Sequence, residues 1–193
     1  MIKVVLFDWS GTLCDDYSAV HQKINKVIPT HLAKNIFFHP LIKHLRSLFP
    51  IAIMRLLPFK YSPSDTKMKL FPHTKEVIVF LKQRGVVVGI ISTQSPKIIT
   101  DILRKEKLYS SINVIKGYAL YKYNVIKQLE CYRNSKKHDI AYISDIREDL
   151  EEAKPLGIKV YAASWGYDTK ENLQKALPDG IFSSIISLKS LFK

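Results

Sequence analysis

From residue 73 onward, short runs of apolar and β-branched residues alternate with stretches in which apolar residues recur at helical spacing, and a further apolar run stands at the start of the chain. This alternation constrains the fold more than any other feature of the sequence. Continuous apolar runs are typical of strands buried on both faces, and strands separated by helices form parallel sheets through right-handed crossovers. The sequence therefore predicts an α/β fold with a parallel sheet covered by helices, its strands at 3–7, 86–91, 112–115, 140–143, 158–162 and 180–182.

Residues 15–70 interrupt the alternation. They contain no run with the two-residue periodicity of a strand, their composition favours helices, and prolines break them into short pieces. We therefore expect a core formed by 1–14 and 71–193, with a small helical domain inserted after the first strand. The insert holds nine Lys and Arg residues against three Asp, which gives +6 of the chain's net charge of +13.

Composition excludes several classes of protein. With 47% hydrophobic residues the chain can bury a core, and no apolar run approaches the ~20 residues that cross a bilayer. The first apolar run is too short for the apolar region of a signal peptide. Cys14 and Cys131 cannot form a disulfide framework, so we expect free thiols and a cytoplasmic location.

The net charge of +13 bounds the partners. A basic surface attracts anions such as phosphorylated metabolites, nucleic acid or an anionic membrane. Basic nucleic-acid binders usually combine charge with a recognisable reading element, and the sequence contains none. The apolar segment 48–59 is short and interrupted by prolines, which favours a buried segment over a membrane or dimer contact. The partner we expect is a small anionic phosphorylated substrate.

Polar side chains stand where the predicted strands end. Asp8, the pair Ser92-Thr93 and Asp145 each follow an apolar run, and Lys122 opens the helix after the third strand of the sheet. The carboxyl ends of parallel strands meet at one edge of a sheet, where ligands bind. Carboxylates bind Mg²⁺, and a hydroxyl and an ammonium group hold phosphate oxygens. The sequence therefore predicts one site for a metal ion and a phosphate group.

Four motifs occur in order along the chain. They are Phe7-Asp8-Trp9-Ser10-Gly11-Thr12-Leu13, Gly89-Ile90-Ile91-Ser92-Thr93, Lys122 in Tyr121-Lys122-Tyr123-Asn124, and Ser144-Asp145-Ile146-Arg147-Glu148-Asp149. This ordered set resembles the haloacid dehalogenase-like superfamily, and segment 163–167 is similar to a loop of its phosphoglycolate-phosphatase-like members. The resemblance implies a Rossmann-like core, a helical cap at 15–70 that closes over the site and sets specificity, and Mg²⁺-dependent hydrolysis of a phosphate ester.

The resemblance also implies a role for each motif. Asp8 would be the nucleophile, with Ser10 at the position of the general acid and base. The groups expected to bind phosphate are Gly11, Thr12, Ser92, Thr93 and Lys122. The groups expected to bind Mg²⁺ are the carboxylates of Asp8, Asp145 and Asp149 and the backbone carbonyl of Ser10.

Two positions depart from the family pattern. Ser10 stands where most members have an Asp that protonates the leaving group and then activates water, and Tyr123 stands where proline usually follows the lysine. A serine hydroxyl is a poor acid or base near neutral pH, and general acid–base catalysis contributes roughly 10²–10⁴ in rate.

Three interpretations follow from the departure at Ser10. The first is a Mg²⁺-dependent phosphatase that forms an aspartyl-phosphate. The second is a phosphonatase-like P–C hydrolase, which would need a cap lysine such as Lys43 as a Schiff base, although Lys43 is explained more simply as a surface lysine. The third is a catalytically weakened phosphoryl-binding protein.

Overall fold

The computed structural model describes residues 1–16 and 68–192. The chain divides into two compact units, Met1–Asp15 with Lys69–Lys193, and Asp16–Met68. The predicted helical cap falls almost entirely on residues 17–67, outside the described residues, and so do Lys43 and the apolar segment 48–59. The cap therefore stays a prediction.

The described residues form eight strands, six α-helices and four short 3₁₀ helices. The strands are β1 (Val4–Phe7), β2 (Cys14–Asp15), β3 (Lys69–Leu70), β4 (Val87–Ile91), β5 (Val114–Lys116), β6 (Ile140–Ser144), β7 (Lys159–Ala163) and β8 (Gly180–Phe182). The α-helices are α1 (Thr74–Gln83), α2 (Pro96–Lys105), α3 (Lys122–Gln128), α4 (Glu130–Arg133), α5 (Arg147–Ala153) and α6 (Lys170–Gln174). The 3₁₀ helices are Tyr109–Ser111, Lys137–Asp139, Lys154–Leu156 and Ile185–Phe192. All six predicted strands occur within two residues of their expected ends, which confirms the α/β prediction.

Six strands form one sheet in the order β5-β4-β1-β6-β7-β8, and all neighbouring pairs run parallel. β1 is central, because Phe7 pairs with Ile90 of β4 on one side and with Ile143 of β6 on the other. The chain first builds the side that holds β4 and β5, then returns to build the side that holds β6, β7 and β8. Ligands of such sheets bind at this reversal, beyond the carboxyl ends of the strands. Asp8 follows β1 directly and therefore lies at this reversal, beyond the carboxyl end of the central strand.

The core lies between this sheet and its helices. All residues of β1 and β6 are buried, and α1 buries Val77, Ile78 and Leu81 along one face. Burying one such aliphatic side chain stabilises the fold by about 1.5–3 kcal/mol, so the sheet is a firm support for the residues at its edge. Within residues 1–16 and 68–192, every helix falls short of the length and hydrophobicity that a membrane crossing requires.

β2 and β3 form a small antiparallel ribbon at the two ends of the inserted segment. Cys14 pairs with Leu70, and Asp15 pairs with Lys69. The predicted boundary 14/15 falls inside β2 and the predicted boundary 70/71 directly follows β3, so Asp15, Lys69 and Leu70 of the predicted insert are extended. Strands of two residues are too short to produce a visible alternation of apolar and polar residues.

Leu6 lies in the centre of β1, fully buried, between Gly89 of β4 and Tyr142 of β6. We expect Leu6→Ala to lower the free energy of unfolding by about 2–5 kcal/mol, because the change leaves a cavity that the flanking strands cannot fill. Urea denaturation followed by circular dichroism measures this loss. Leu120, which is 41% exposed, provides the control, and Leu120→Ala should cost about 0.5 kcal/mol. Equal losses for the two variants would contradict the central packing of β1.

Candidate active site

Asp8 is held at the edge of the sheet by the neighbouring strand. Its backbone N–H donates to the carbonyl of Ile143 at 2.9 Å, and only 6% of the residue is exposed. Burial raises the pKa of Asp8 from 3.8 to about 6. The positive charge of Lys122 opposes this rise, and the negative charge of Asp149 adds to it. At neutral pH Asp8 is therefore mostly ionised, which is the form that a nucleophile requires.

Lys122 is the first residue of α3 and is 1% exposed. Its ammonium group donates to Asp8 Oδ1 at 3.0 Å and to the carbonyl of Ile91 at 3.2 Å, and it lies 3.5 Å from Asp149 Oδ2. Burial by itself lowers the pKa of Lys122, but the charges of Asp8 and Asp149 outweigh it and the net shift is upward. Lys122 therefore stays protonated and holds a positive charge against Asp8.

Asp145 follows β6 and is fully buried. Thr12 Oγ1 donates to Asp145 Oδ1 at 2.6 Å, and the N–H of Tyr167 donates to Oδ2 at 2.8 Å. The backbone N–H of Asp145 donates in return to Thr12 Oγ1 at 3.1 Å. Burial, together with the negative charge of Asp8, raises the pKa of Asp145 well above its usual 3.8. The two carboxylates therefore lie close enough to repel each other.

Gly11 lies in the turn between β1 and β2, directly against Asp145. Its φ of +76° is in the left-handed region, and a Cβ at this position would lie 2.0 Å from Asp145 Oδ2. Both the backbone conformation and the approach of the carboxylate require glycine here.

The same turn is bonded within itself. The N–H groups of residues 12–14 donate to the carbonyl of Trp9, and the N–H of Gly11 donates to the carbonyl of Cys14. The family resemblance implied that Gly11 and Thr12 bind phosphate, and glycine has only its backbone N–H to donate. Since both N–H groups are bonded inside the turn, the geometry favours a supporting part for these residues beside Asp145. Their contact with phosphate stays a prediction.

Ser10 lies in this turn, two residues after Asp8, and is half-buried. It forms a single β-bridge with Cys14, which places its backbone beside the start of β2. A hydroxyl group therefore stands two residues after Asp8, at the position to which the family resemblance assigns the general acid and base.

Ser92 and Thr93 follow β4, on the other side of β1 from Asp145. Ser92 is 1% exposed, and its Oγ accepts a hydrogen bond from the N–H of Gln94 at 3.1 Å. The hydroxyl hydrogen of Ser92 can therefore be donated to a phosphate oxygen. The side chain of Thr93 is exposed, so Ser92 is the better placed of the two.

Asp149 lies in the first turn of α5. Its Oδ2 accepts hydrogen bonds from Tyr142 OH at 3.2 Å and from Ser144 Oγ at 3.3 Å, and it lies 3.5 Å from Lys122 Nζ. These contacts couple Asp149 to the lysine, and its contact with Mg²⁺ stays a prediction.

Three residues after β7 hold the site together, and the sequence did not reveal their part. Trp165 Nε1 donates to the carbonyl of Thr12 at 2.9 Å, and Tyr167 holds Asp145 as described above. A Cβ at Gly166 would lie 2.3 Å from Asp145 Oδ2. The available signal was the resemblance of segment 163–167 to a loop of phosphoglycolate-phosphatase-like proteins, which marked the segment but gave none of these three contacts.

The acidic residues of the site offer the negative charge and the oxygen ligands that suit a divalent cation. Among residues 1–16 and 68–192, no group of three His, Cys, Asp or Glu side chains forms a ready-made metal cluster. Asp8 and Asp145 are nevertheless two buried carboxylates with upward-shifted pKa values, and a bound cation would relieve both their burial and their repulsion. Oxygen ligands of this kind suit Mg²⁺.

Because the pKa of Asp8 is raised in the folded protein, the free energy of unfolding depends on pH. A carboxyl group with a higher pKa in the folded state stabilises the fold fully below its unfolded pKa, near 3.8, and loses that contribution as the pH rises through about 6. In chelator-treated protein at pH 7.5, we expect Asp8→Asn to raise the free energy of unfolding by roughly 1–3 kcal/mol. The gain should shrink towards pH 4.5, and urea denaturation at both pH values measures it.

Asp101→Asn is the matched control. Asp101 pairs with Lys97 at 2.7 Å on the surface of α2, so its replacement should change the free energy of unfolding by less than about 1 kcal/mol at either pH. A lower stability of Asp8→Asn at pH 7.5 would show that the ion pair with Lys122 outweighs the burial of Asp8.

Comparison with known proteins agrees with this geometry. A family model described as haloacid dehalogenase-like hydrolase matches residues 5–163. A phosphoglycolate phosphatase from Synechococcus elongatus is 26% identical over 119 residues, which are 61% of this chain and 56% of that protein. The chain therefore spans little more than half the length of this curated relative.

Two solved structures share the fold along their whole length. A predicted phosphatase from Clostridium acetobutylicum has a TM-score of 0.82 at 20% identity, covering 100% of this chain and 98% of that one. A haloacid dehalogenase-like family hydrolase from Streptococcus pneumoniae has a TM-score of 0.79 at 19% identity, covering 100% and 99%. At these identities the likeness concerns the fold alone. The family model, by contrast, spans most of the sequence and includes Asp8, Ser92, Lys122 and Asp145, and the chain belongs to the haloacid dehalogenase-like hydrolase family.

Proposed function

We propose that this chain is a Mg²⁺-dependent phosphatase in which Asp8 attacks a small anionic phosphate ester. The observation that carries the proposal is the 3.0 Å contact between Asp8 Oδ1 and the buried ammonium group of Lys122. A carboxylate and a cation fixed at one point of low solvent access can receive an anionic phosphoryl group. The sequence relation to a phosphoglycolate phosphatase supports the same class of reaction.

The proposed reaction has two steps. Asp8 attacks phosphorus, the P–O bond to the alcohol breaks, and an aspartyl-phosphate forms while the leaving oxygen takes a proton from solvent. Water then attacks phosphorus, the P–O bond to Asp8 breaks, and inorganic phosphate leaves with the protons of that water, which restores the Asp8 carboxylate. With a pKa of about 6, Asp8 is available as the ionised nucleophile above neutral pH.

Lys122 and Ser92 are the side chains that would receive the phosphate oxygens. Lys122 already has three oxygen atoms around its ammonium group, so it would exchange part of these contacts for contacts with the phosphoryl group. Because its position is fixed beforehand, little reorganisation is needed during the reaction. The Ser92 hydroxyl would donate to a further oxygen from the β4 side.

Asp8, Asp145 and the carbonyl of Ser10 would hold Mg²⁺, which when bound would neutralise phosphoryl oxygens and align the group with Asp8. Thr12 and Tyr167 hold both oxygens of Asp145, and this fixes the carboxylate in a defined orientation for a ligand. The contribution of Asp149 would pass through Lys122, which it contacts.

The proposed setting is the cytoplasm, with a phosphorylated metabolite as the partner. Cys14 and Cys131 are not joined in a disulfide, as expected in a reducing compartment. The net charge of +13 would attract such a substrate. The phosphonatase-like alternative depends on Lys43, which lies outside the described residues.

A second candidate function is phosphoryl binding with slow turnover, and Ser10 is the observation that favours it. A hydroxyl can neither protonate the leaving oxygen efficiently nor activate water near neutral pH. The first step would then need a good leaving group, and the aspartyl-phosphate would persist.

Replacing Lys122 tests the charge at the nucleophile. We expect Lys122→Met to lower kcat by roughly 10²–10³ with p-nitrophenyl phosphate and Mg²⁺, because the methyl thioether keeps the volume and removes the cation. Lys127→Met is the control on the same helix, since Lys127 is exposed and lies over the ring of Tyr123, and it should remain within about twofold. Removing Mg²⁺ with a chelator should abolish the activity of the wild type and of Lys127→Met. Full activity of Lys122→Met would contradict the proposal.

Replacing Ser10 separates the two candidate functions. If the site lacks only an acid and base, Ser10→Asp should raise kcat/KM by about tenfold or more for an alkyl phosphate and less for an aryl phosphate, which needs less protonation on departure. Steady-state rates at saturating Mg²⁺ measure both values. Unchanged or lower rates for both substrates, in a variant that circular dichroism shows to be folded, would exclude the simple phosphatase and favour the binding function.

A further inference from the structure

The helix that carries Lys122 has no cap of its own. Tyr121 occupies the N-cap position of α3 and makes no side-chain hydrogen bond to the helix. The first N–H groups of a helix have no partner within the helix and need an outside acceptor. Glu152 of α5 supplies one, because its Oε2 accepts a hydrogen bond from the backbone N–H of Lys122 at 2.6 Å.

The carboxyl group of Glu152 is held by the N–H groups at the start of α3. Burial and the negative charge of Asp149 raise the pKa of Glu152, although the hydrogen bonds from the N–H groups of Lys122 and Tyr123 and the charge of Lys122 oppose the rise. A carboxylate is also favoured at the positive end of a helix. Since the second residue of α3 is Tyr123, it has an N–H to be satisfied, which a proline at this position would lack.

α5 contacts both ends of Lys122. Asp149 lies 3.5 Å from the ammonium group, and Glu152 bonds the backbone of the same residue. These two acids are three residues apart and share one face of the helix. Leu150 and Ala153 are buried in the core, so α5 is a fixed reference for the position of Lys122.

We infer that Glu152 is a positioning residue: it fixes the first turn of α3 and thereby holds the ammonium group of Lys122 at Asp8. The kinetic part of its test rests on the proposed function. A second, chemical measurement on the metal-free protein does not, so failure of this inference and failure of the proposed function can be told apart.

The kinetic test compares three variants. Glu152→Ala removes the acceptor and should lower kcat with p-nitrophenyl phosphate by about tenfold or more, because small displacements of a fixed charge cost large factors in rate. Glu152→Gln keeps an oxygen that accepts the same bonds and should remain within about threefold of the wild type. Glu151→Ala is the control, because Glu151 is the neighbouring residue and pairs with Arg147 on the surface; it should remain within about twofold.

The chemical test is the rate at which sulfo-NHS-acetate acetylates Lys122, read by peptide mass spectrometry. Lys122 is 1% exposed and should be protected in the wild type, Glu152→Gln and Glu151→Ala. In Glu152→Ala it should react about tenfold faster, because the first turn of α3 opens more often. Exposed Lys127, on the same helix, should react equally in all four proteins and is the internal reference.

Wild-type kcat and full protection of Lys122 in Glu152→Ala would overturn the inference. It would also be overturned if Glu152→Ala and Glu152→Gln lost activity equally while Lys122 stayed protected, since charge rather than position would then matter. A wild-type protein that hydrolyses no phosphate ester would contradict the proposed function, and acetylation would still decide the part of Glu152. Should Glu152→Ala not fold, Glu152→Ser takes its place, because serine is too short to reach the N–H groups.

Discussion

The site depends on the balance of charges that are buried together where the strand order reverses. Asp8, Lys122 and Asp145 are each at most 6% exposed, and an isolated charge in such a place costs several kcal/mol. Lys122 reduces this cost for Asp8 and Asp149 because its ammonium group contacts both. Asp145 has neutral donors instead, from Thr12 and Tyr167, and its pKa remains far above the usual value. When its carboxylates are ionised, the site therefore has an excess of negative charge that a bound cation can neutralise.

The surrounding fold supplies the order that this balance needs. β1 is paired on both sides, so Asp8 cannot move without the sheet. Gly11 and Gly166 allow the backbone to lie closer to Asp145 than a residue with a Cβ atom would permit. Trp165 ties the turn after β1 to the loop after β7. Burying carboxylates that repel each other lowers the free energy of unfolding, and the burial of the apolar strands offsets that loss.

The sequence predicted the sheet and the principal acids because both leave a local pattern. Continuous apolar runs marked the strands, and the residue type at each strand end marked Asp8, Ser92 and Asp145. The supporting contacts leave no such pattern: Thr12 and Asp145 are 133 residues apart, and Trp165 and Thr12 are 153 apart. The two-residue ribbon and the bonding of N–H groups inside the turn after Asp8 likewise follow from the folded backbone. Glu152 had no distinguishing signal among the acids of α5.

In the proposed reaction Asp8 itself receives the phosphoryl group, and chemical trapping of the aspartyl-phosphate would show this. An acyl phosphate is reduced by borohydride to an alcohol, which would convert Asp8 to homoserine. In the proposed reaction Ser10 would slow the second step, and this should favour trapping. The protein would be mixed with Mg²⁺ and p-nitrophenyl phosphate, quenched with borohydride and mapped by mass spectrometry. We expect homoserine at position 8, dependent on both substrate and Mg²⁺. Reduction at another carboxylate, or continued turnover with Asp8 unmodified under conditions that trap a reference acyl phosphate, would contradict it.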